Sequence, residues 1–212
     1  MNVSSKGRFL TLEGGEGAGK STLLAGLRAW LVAAGVDPVF TREPGGTPLG
    51  EAVRSLLLDP AHGICAEAEL LLVFAARAQH VREVIVPALA GGRWVVSDRF
   101  TDASFAYQGG GRGQPFTRIE ELASWAAMGL RPDVTLLLDL PVSTGRERVA
   151  GRGEADRIEA EADGFFERVR AVYRERAQAE PDRFHLLDAS ASPEAVLAEA
   201  IAAIAPLVEV PR

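Results

Sequence analysis

Five short apolar runs punctuate the chain, at Phe9–Leu12, Pro38–Thr41, Trp94–Ser97, Val134–Leu140 and Phe184–Leu187. Between them lie longer stretches in which apolar residues return every three or four positions, as at Leu23, Leu24, Leu27, Leu31 and Val32. Strands alternating with helices predict an α/β fold, a five-stranded parallel sheet with helices on both faces. Sheets of this kind take ligands beyond the C-terminal ends of their strands. Polar, turn-rich segments follow four of the runs: GGEGAGKS from Gly14, Arg42-Glu43-Pro44-Gly45-Gly46, Asp98-Arg99-Phe100 and Asp188-Ala189-Ser190. They are expected to converge on one edge of the sheet.

Two helical segments break the simple pattern. Ala66–Leu89 is long and apolar but is interrupted by Arg77, Gln79, His80 and Arg82. Ala150–Ala162 is the opposite: Arg148, Arg152, Glu154, Asp156, Arg157 and Glu159 crowd around Gly151 and Gly153 with few apolar anchors. It reads as a mobile flap. The tail, Pro193–Val208, has the pattern of a packing helix. No repeat and no linker divides the chain, so a single domain over residues 1–212 is expected.

Composition narrows the classes. With 212 residues, 47% of them hydrophobic, the chain can build one sizeable core. Its net charge of -6 gives no general attraction to nucleic acid or to an anionic membrane. Cys65 is the only cysteine, which excludes an internal disulfide and fits a reducing cytoplasm. Met1–Gly7 is short and polar without a signal-peptide core, and no apolar run approaches a membrane span.

The segment from Gly14 to Thr22 fits G-x-x-x-x-G-K-[ST], the phosphate-binding P-loop. Gly14, Gly15, Gly17, Ala18 and Gly19 supply backbone N–H groups that form an anion nest, and the helix that follows adds its positive end. Lys20 can reach the outer phosphates, and the Ser21 hydroxyl can complete a Mg²⁺ shell, with Thr22 beside it. Lys20 is one of only two lysines, the other being Lys6, so its presence at the position the motif requires is informative. A strand before the loop and a helix after it supply the context that a chance glycine turn would lack.

Asp98, at the end of an apolar strand, can hold the Mg²⁺ shell opposite Ser21. Asp139 occupies a comparable position; Asp98 is favoured because Arg99 follows it and adds a phosphate clamp. As a plain surface turn, Asp-Arg would be only a salt bridge. Arg77, inside an apolar helix, either snorkels to the surface or pairs with Glu69, or it presents a donor fork to a base or phosphate; spacing alone leaves these open. His62, His80, His185 and Cys65 have no metal-ligand spacing, so zinc is not expected.

In order and spacing, FLTLEGGEGAGKS, TREPGGT, RSLLL, FAARAQHV, DRFTDASFAYQGGGRG and RGEADRIE resemble the bacterial thymidylate kinases over nearly the whole chain. The resemblance implies a P-loop kinase fold with a lid at about residues 142–160, ATP-dependent phosphorylation of dTMP to dTDP, and a homodimer. It implies that Arg99 grips the dTMP phosphate, Arg77 bonds the thymine carbonyl, and Ser104 lies near the base. Tyr107 would lie against the deoxyribose, Glu16 would contact the 3′-hydroxyl, Gln108 and Pro44 would line the pocket, and Ser190 would border the adenine, with Arg148 beside it. Glu16, Lys20, Arg99, Arg152 and Arg157 form the expected catalytic set.

The chain departs from the family pattern at one position. The stacking aromatic usually found four residues before the helix arginine is here Val73, and the neighbouring Phe74 is the aromatic expected to serve the base. Some members also place an arginine in the P-loop where this chain has Gly17, so Arg152 or Arg157 is expected to supply that charge. A kinase for another monophosphate is disfavoured by the DRF…AYQ stretch. A GTP-dependent switch would need N-K-x-D, which neither lysine provides, and an inactive scaffold would not need the full charged set.

Overall fold

A computed structural model describes residues 7–150 and 155–208. All five strands form: β1 (Phe9–Gly14), β2 (Val39–Arg42), β3 (Val95–Asp98), β4 (Val134–Asp139) and β5 (Phe184–Asp188). They pair in parallel in the order β2-β3-β1-β4-β5, with Leu10 beside Val96 on one side and Val134 on the other. Both faces are covered, which is why the strands read as apolar runs rather than as alternations.

Leu10, Leu12, Val96, Leu136 and Leu138 face α1 (Lys20–Ala33) and α9 (Pro193–Ile204), packing on Leu23, Leu27, Val196 and Ala200. The other face meets some of the remaining helices, and the rest pack on those. The remaining helices are α2 (Pro48–Leu58), α3 (Ala66–His80), α4 (Val86–Ala90), α5 (Thr101–Ser104), α6 (Phe116–Ala126), α7 (Val142–Val149) and α8 (Asp163–Ala179). Here Phe9, Val95 and Phe100 pack on Val81 and Ile85, and Leu137 packs on Phe165, Phe166 and Tyr173.

Local chemistry sets the helix starts. Thr47 and Ser192 accept from the Gly50 and Ala195 N–H groups, each with proline in the first helical position. The long helical segment runs from Ala66 to Ala90 but contains a π-turn at Val81–Ile85, and a second π-turn, Phe105–Gly111, continues α5. Each π-turn changes the phase of the face it interrupts. Among the described residues no helix is long and apolar enough to cross a membrane.

Candidate active site

The C-terminal ends of β1, β2 and β3 open on a cavity of about 430 Å³, within the range of small-molecule sites. Glu16 through Thr22 form one wall, and Glu43, Pro44, Arg54, Arg77, Asp98 and Arg99 supply much of the rest. Ser104, Tyr107, Gln108 and Arg157 close it. Most of the residues named from sequence therefore meet in one place.

The loop is built for close backbone approach. Gly19 sits in the left-handed region at φ 90°, turning the chain into α1. Gly17, at φ 70°, lies so close to α7 that a Cβ would fall 2.3 Å from the Gly145 carbonyl oxygen. Lys20 Nζ donates to the Gly14 and Gly15 carbonyls at 3.1 and 2.8 Å. Burial first, and the Arg99 charge second, hold its amine below the ordinary lysine value.

Arg99 follows β3 with φ 70°, a left-handed conformation that costs a non-glycine residue energy. Three bonds hold the turn. The Arg99 N–H donates to Leu12 O, the Ser97 hydroxyl donates to Arg99 O at 2.7 Å, and the Phe100 N–H donates to Glu13 Oε1 at 2.8 Å. Glu13 is fully buried and also accepts from the Tyr173 hydroxyl; burial, then the nearby Asp102 charge, push its carboxyl up to about 8. The strained turn aims the Arg99 guanidinium at the loop, where Nη2 donates to Glu16 Oε1 at 2.7 Å and the Tyr107 hydroxyl donates to the same oxygen at 3.3 Å. Burial alone would raise the Glu16 carboxyl, but Arg99 and then Lys20 draw it below its ordinary value.

Asp98 and Asp139 are no longer equivalent. Asp139 accepts from Arg170 at 2.7 and 2.9 Å and from Arg174 at 3.3 Å. Asp98 lines the cavity, and its Oδ1 is buried without a hydrogen-bond partner. A buried carboxylate oxygen left unpaired costs free energy. A hard cation with oxygen ligands, shared with Ser21 of the same cavity lining, fits that unpaired oxygen. Among the described residues no cluster of three His, Cys, Asp or Glu side chains could hold a metal by itself.

Arg77 neither snorkels nor pairs with Glu69. It is 2% exposed, with Nε on Glu43 Oε2 at 2.6 Å, Nη1 on the Ser104 hydroxyl at 2.9 Å and Nη2 on Phe100 O at 3.0 Å. Glu43 also meets His80 Nδ1 at 2.9 Å, and Thr41 holds the far side of that ring. Three of the five guanidinium N–H groups are thereby fixed, which leaves two on a side chain that lines the cavity.

Three of the expected site residues lie apart from this arrangement. Phe74 does not line the cavity; it packs with Leu70, Ile119 and Ala126, its ring 4.6 Å from the Arg77 guanidinium carbon, and Val73 faces the cavity instead. α3 is regular at this point, so one residue of offset turns the side chain by about 100°. Arg157 is not aimed at the loop: Nε donates to Leu57 O at 2.7 Å and Nη2 to Glu69 Oε2 at 2.6 Å. Ser190 is exposed and bonds Asp188; it is tied to the loop only through Arg148, which donates to Ala189 O at 2.9 Å and to Gly17 O at 3.5 Å. Arg152 lies outside the described residues.

Sequence reasoning passed over Arg54 as a site residue. It lines the cavity and donates to Pro44 O at 3.2 Å; burial first, then the Arg42 and Arg99 charges, lower its pKa. Its spacing inside the RSLLL segment carried no signal of where it would point.

Comparison with known proteins identifies the family. The family model described as thymidylate kinase matches residues 12–200. The chain is 59% identical over 185 residues to a protein named thymidylate kinase from Chromobacterium violaceum, covering 87% of each chain. It is 56% identical over 204 residues to one of that name from Pseudomonas putida, covering 96% of this chain and 97% of the relative. A third, from Halorhodospira halophila, is 55% identical over 204 residues, covering 95% and 94%. The chain that folds this arginine-lined cavity thus belongs to the thymidylate kinase family.

Proposed function

We infer that the protein transfers the γ-phosphoryl group of ATP to dTMP, forming dTDP. The observation that carries this reading is one cavity lined both by the P-loop and by a second set of anion-binding groups, Arg54 and Arg99, with Arg77 beside them. A kinase acting on a neutral hydroxyl would not need that second wall.

The acceptor is a phosphate monoester, largely dianionic near neutrality because its second pKa is about 6. Its oxygen is already nucleophilic, so no side chain need remove a proton. The protein's task is to hold two anions in line and offset the charge at the transferred group. In this reading the loop N–H groups and Lys20 hold the ATP phosphates, and Arg99 with Arg54 holds the dTMP phosphate. Ser21 and Asp98 would hold Mg²⁺, which supplies charge neutralisation when bound.

Arg77, fixed by Glu43 and Ser104, offers donors that match a thymine carbonyl and not a cytosine amino group. Tyr107, its ring beneath the Arg99 guanidinium at 4.6 Å, packs against the sugar, and Gln108 and Pro44 line the same pocket. Glu16 meets the 3′-hydroxyl. Arg148 and Ser190 flank the adenine.

Coupled ADP release with ATP, Mg²⁺ and a panel of dTMP, dUMP, dCMP, dGMP and ribothymidine monophosphate tests the assignment. The expected order puts dTMP first, with dCMP and the ribonucleotide rejected. Equal turnover of dCMP would remove the base-reading role of Arg77, and no turnover of dTMP would end the proposal.

The working form is proposed to be a homodimer in the cytoplasm. Leu49 and Leu56 on α2 and Leu71 on α3 are 49%, 45% and 60% exposed, and the helices that carry them pack on each other. These three leucines are the proposed contact surface between the two chains. Sedimentation at micromolar concentration is expected to show twice the chain mass; a species of 22.6 kDa would contradict it.

A further inference from the structure

Glu69 stands at a junction that the proposed reaction does not use. It is 1% exposed, on the first turn of α3. Its Oε1 accepts from Gln108 Nε2 at 2.9 Å, and its Oε2 accepts from Arg157 Nη2 at 2.6 Å and Arg112 Nε at 3.1 Å. Gln108 belongs to the acceptor wall. Arg157 belongs to residues 155–161, a strap that follows α7 in the chain and lines the cavity with Asp156, Arg157, Ile158 and Glu159.

The strap is docked rather than free. The Arg157 N–H donates to Leu58 O at 3.0 Å and its Nε to Leu57 O at 2.7 Å, so it occupies the carbonyls left open at the end of α2. Arg112 Nη1 also pairs with Glu161, and Arg146 Nη1 donates to Glu159 O at 2.7 Å. Asp156 folds the strap on itself by accepting from the Ile158 and Glu159 N–H groups, both at 2.8 Å, and Ile158 packs against the Phe165–Tyr173 cluster. Among the described residues, Glu69 is the carboxylate on which the strap, α3 and the Gln108 turn all meet.

We propose that Glu69 is a positioning residue that couples occupancy of the acceptor pocket to docking of the 155–161 strap. The physical link is water. Glu69 and Arg157 both line the cavity, and filling it displaces solvent from beside their ion pair. An ion pair in a less polar surrounding is stronger. The nucleotide also fixes Gln108, whose amide then holds the carboxylate toward Arg157. Coupling is reciprocal: what dTMP does for the strap, the strap does for dTMP affinity. Arg157 on this account is a latch and not a donor to the transferred group. The inference rests on the dTMP reading above.

Hydrogen–deuterium exchange of peptides spanning residues 155–162, with and without dTMP, reads the coupling directly. In the native protein dTMP is expected to slow strap exchange by about tenfold, a typical coupling factor. In Glu69→Gln and in Arg157→Gln the same addition should slow it less than about twofold, and the KM for dTMP should rise by more than kcat falls. Wild-type protection in both variants, or no response in the native protein, overturns the inference. If Glu69→Gln fails to fold, Arg157→Gln decides alone. Calorimetry separates the two layers: dTMP that binds and turns over without moving the strap removes only the coupling, whereas dTMP that does not bind removes the function reading and the coupling together.

Discussion

Lys20→Ala is expected to lower kcat by at least about 10³-fold, the upper range for loss of one donor that stabilises developing charge, while thermal unfolding by circular dichroism stays close to wild type. The amine contacts no core side chain; its two bonds go to the Gly14 and Gly15 carbonyls of its own loop. Burial already disfavours its charge, so the ammonium holds its proton in a setting that rewards an anionic partner. ATP phosphates are the proposed partner. They would draw Nζ away from the carbonyls and restore in the bound state the solvation that burial removes. The effect should fall on kcat more than on the KM for dTMP, because the acceptor wall of Arg54, Arg77 and Arg99 does not depend on Lys20. A variant within tenfold of wild-type kcat would show that the loop is not the donor site.

Much of the fold was legible because parallel strands buried on both faces are written as apolar runs, and each of the five runs lies within two residues of an observed strand. The P-loop was legible because its chemistry is local: nine consecutive residues carry the nest, the lysine and the hydroxyl. What could not be read were partners far apart in the chain. Arg77 pairs with Glu43, 34 residues away, and not with Glu69, which shares its helix. Glu69 in turn meets Arg157, 88 residues on, so a polar flap that looked unanchored is held by two carbonyls and a buried carboxylate. The Val73–Phe74 offset was visible in sequence, but which of the two faced the cavity depended on where α6 sits. The π-turn at Phe105–Gly111, which buries Tyr107 and Gln108 together, has no local signature.

The remaining question is which positive charge reaches the transferred phosphoryl group, and the structure narrows it. Position 17 cannot supply a side chain, since even a Cβ would meet the Gly145 oxygen at 2.3 Å and Gly145 itself packs on Glu16 O. Every described arginine that lines the cavity already has a partner: Arg42 has Glu51, Arg54 has Pro44 O, Arg77 has Glu43, Arg99 has Glu16 and Arg157 has Glu69. Arg99 can exchange Glu16 for the acceptor phosphate, but that leaves the transferring group itself without an arginine. Arg152, carried by the glycine-flanked RGEADRIE sequence, is the proposed source. Arg152→Ala is therefore expected to cut kcat by roughly 10³-fold, the low end for a catalytic arginine, with dTMP binding by calorimetry close to wild type. A loss of that shape belongs to a contact made in the transition state. Arg157→Gln, by contrast, should act mainly through the KM for dTMP. If Arg152→Ala keeps near-normal kcat and Arg157→Gln suffers the large loss, the charge comes from Arg157 after release from Glu69, and the division of labour drawn between these two arginines is wrong.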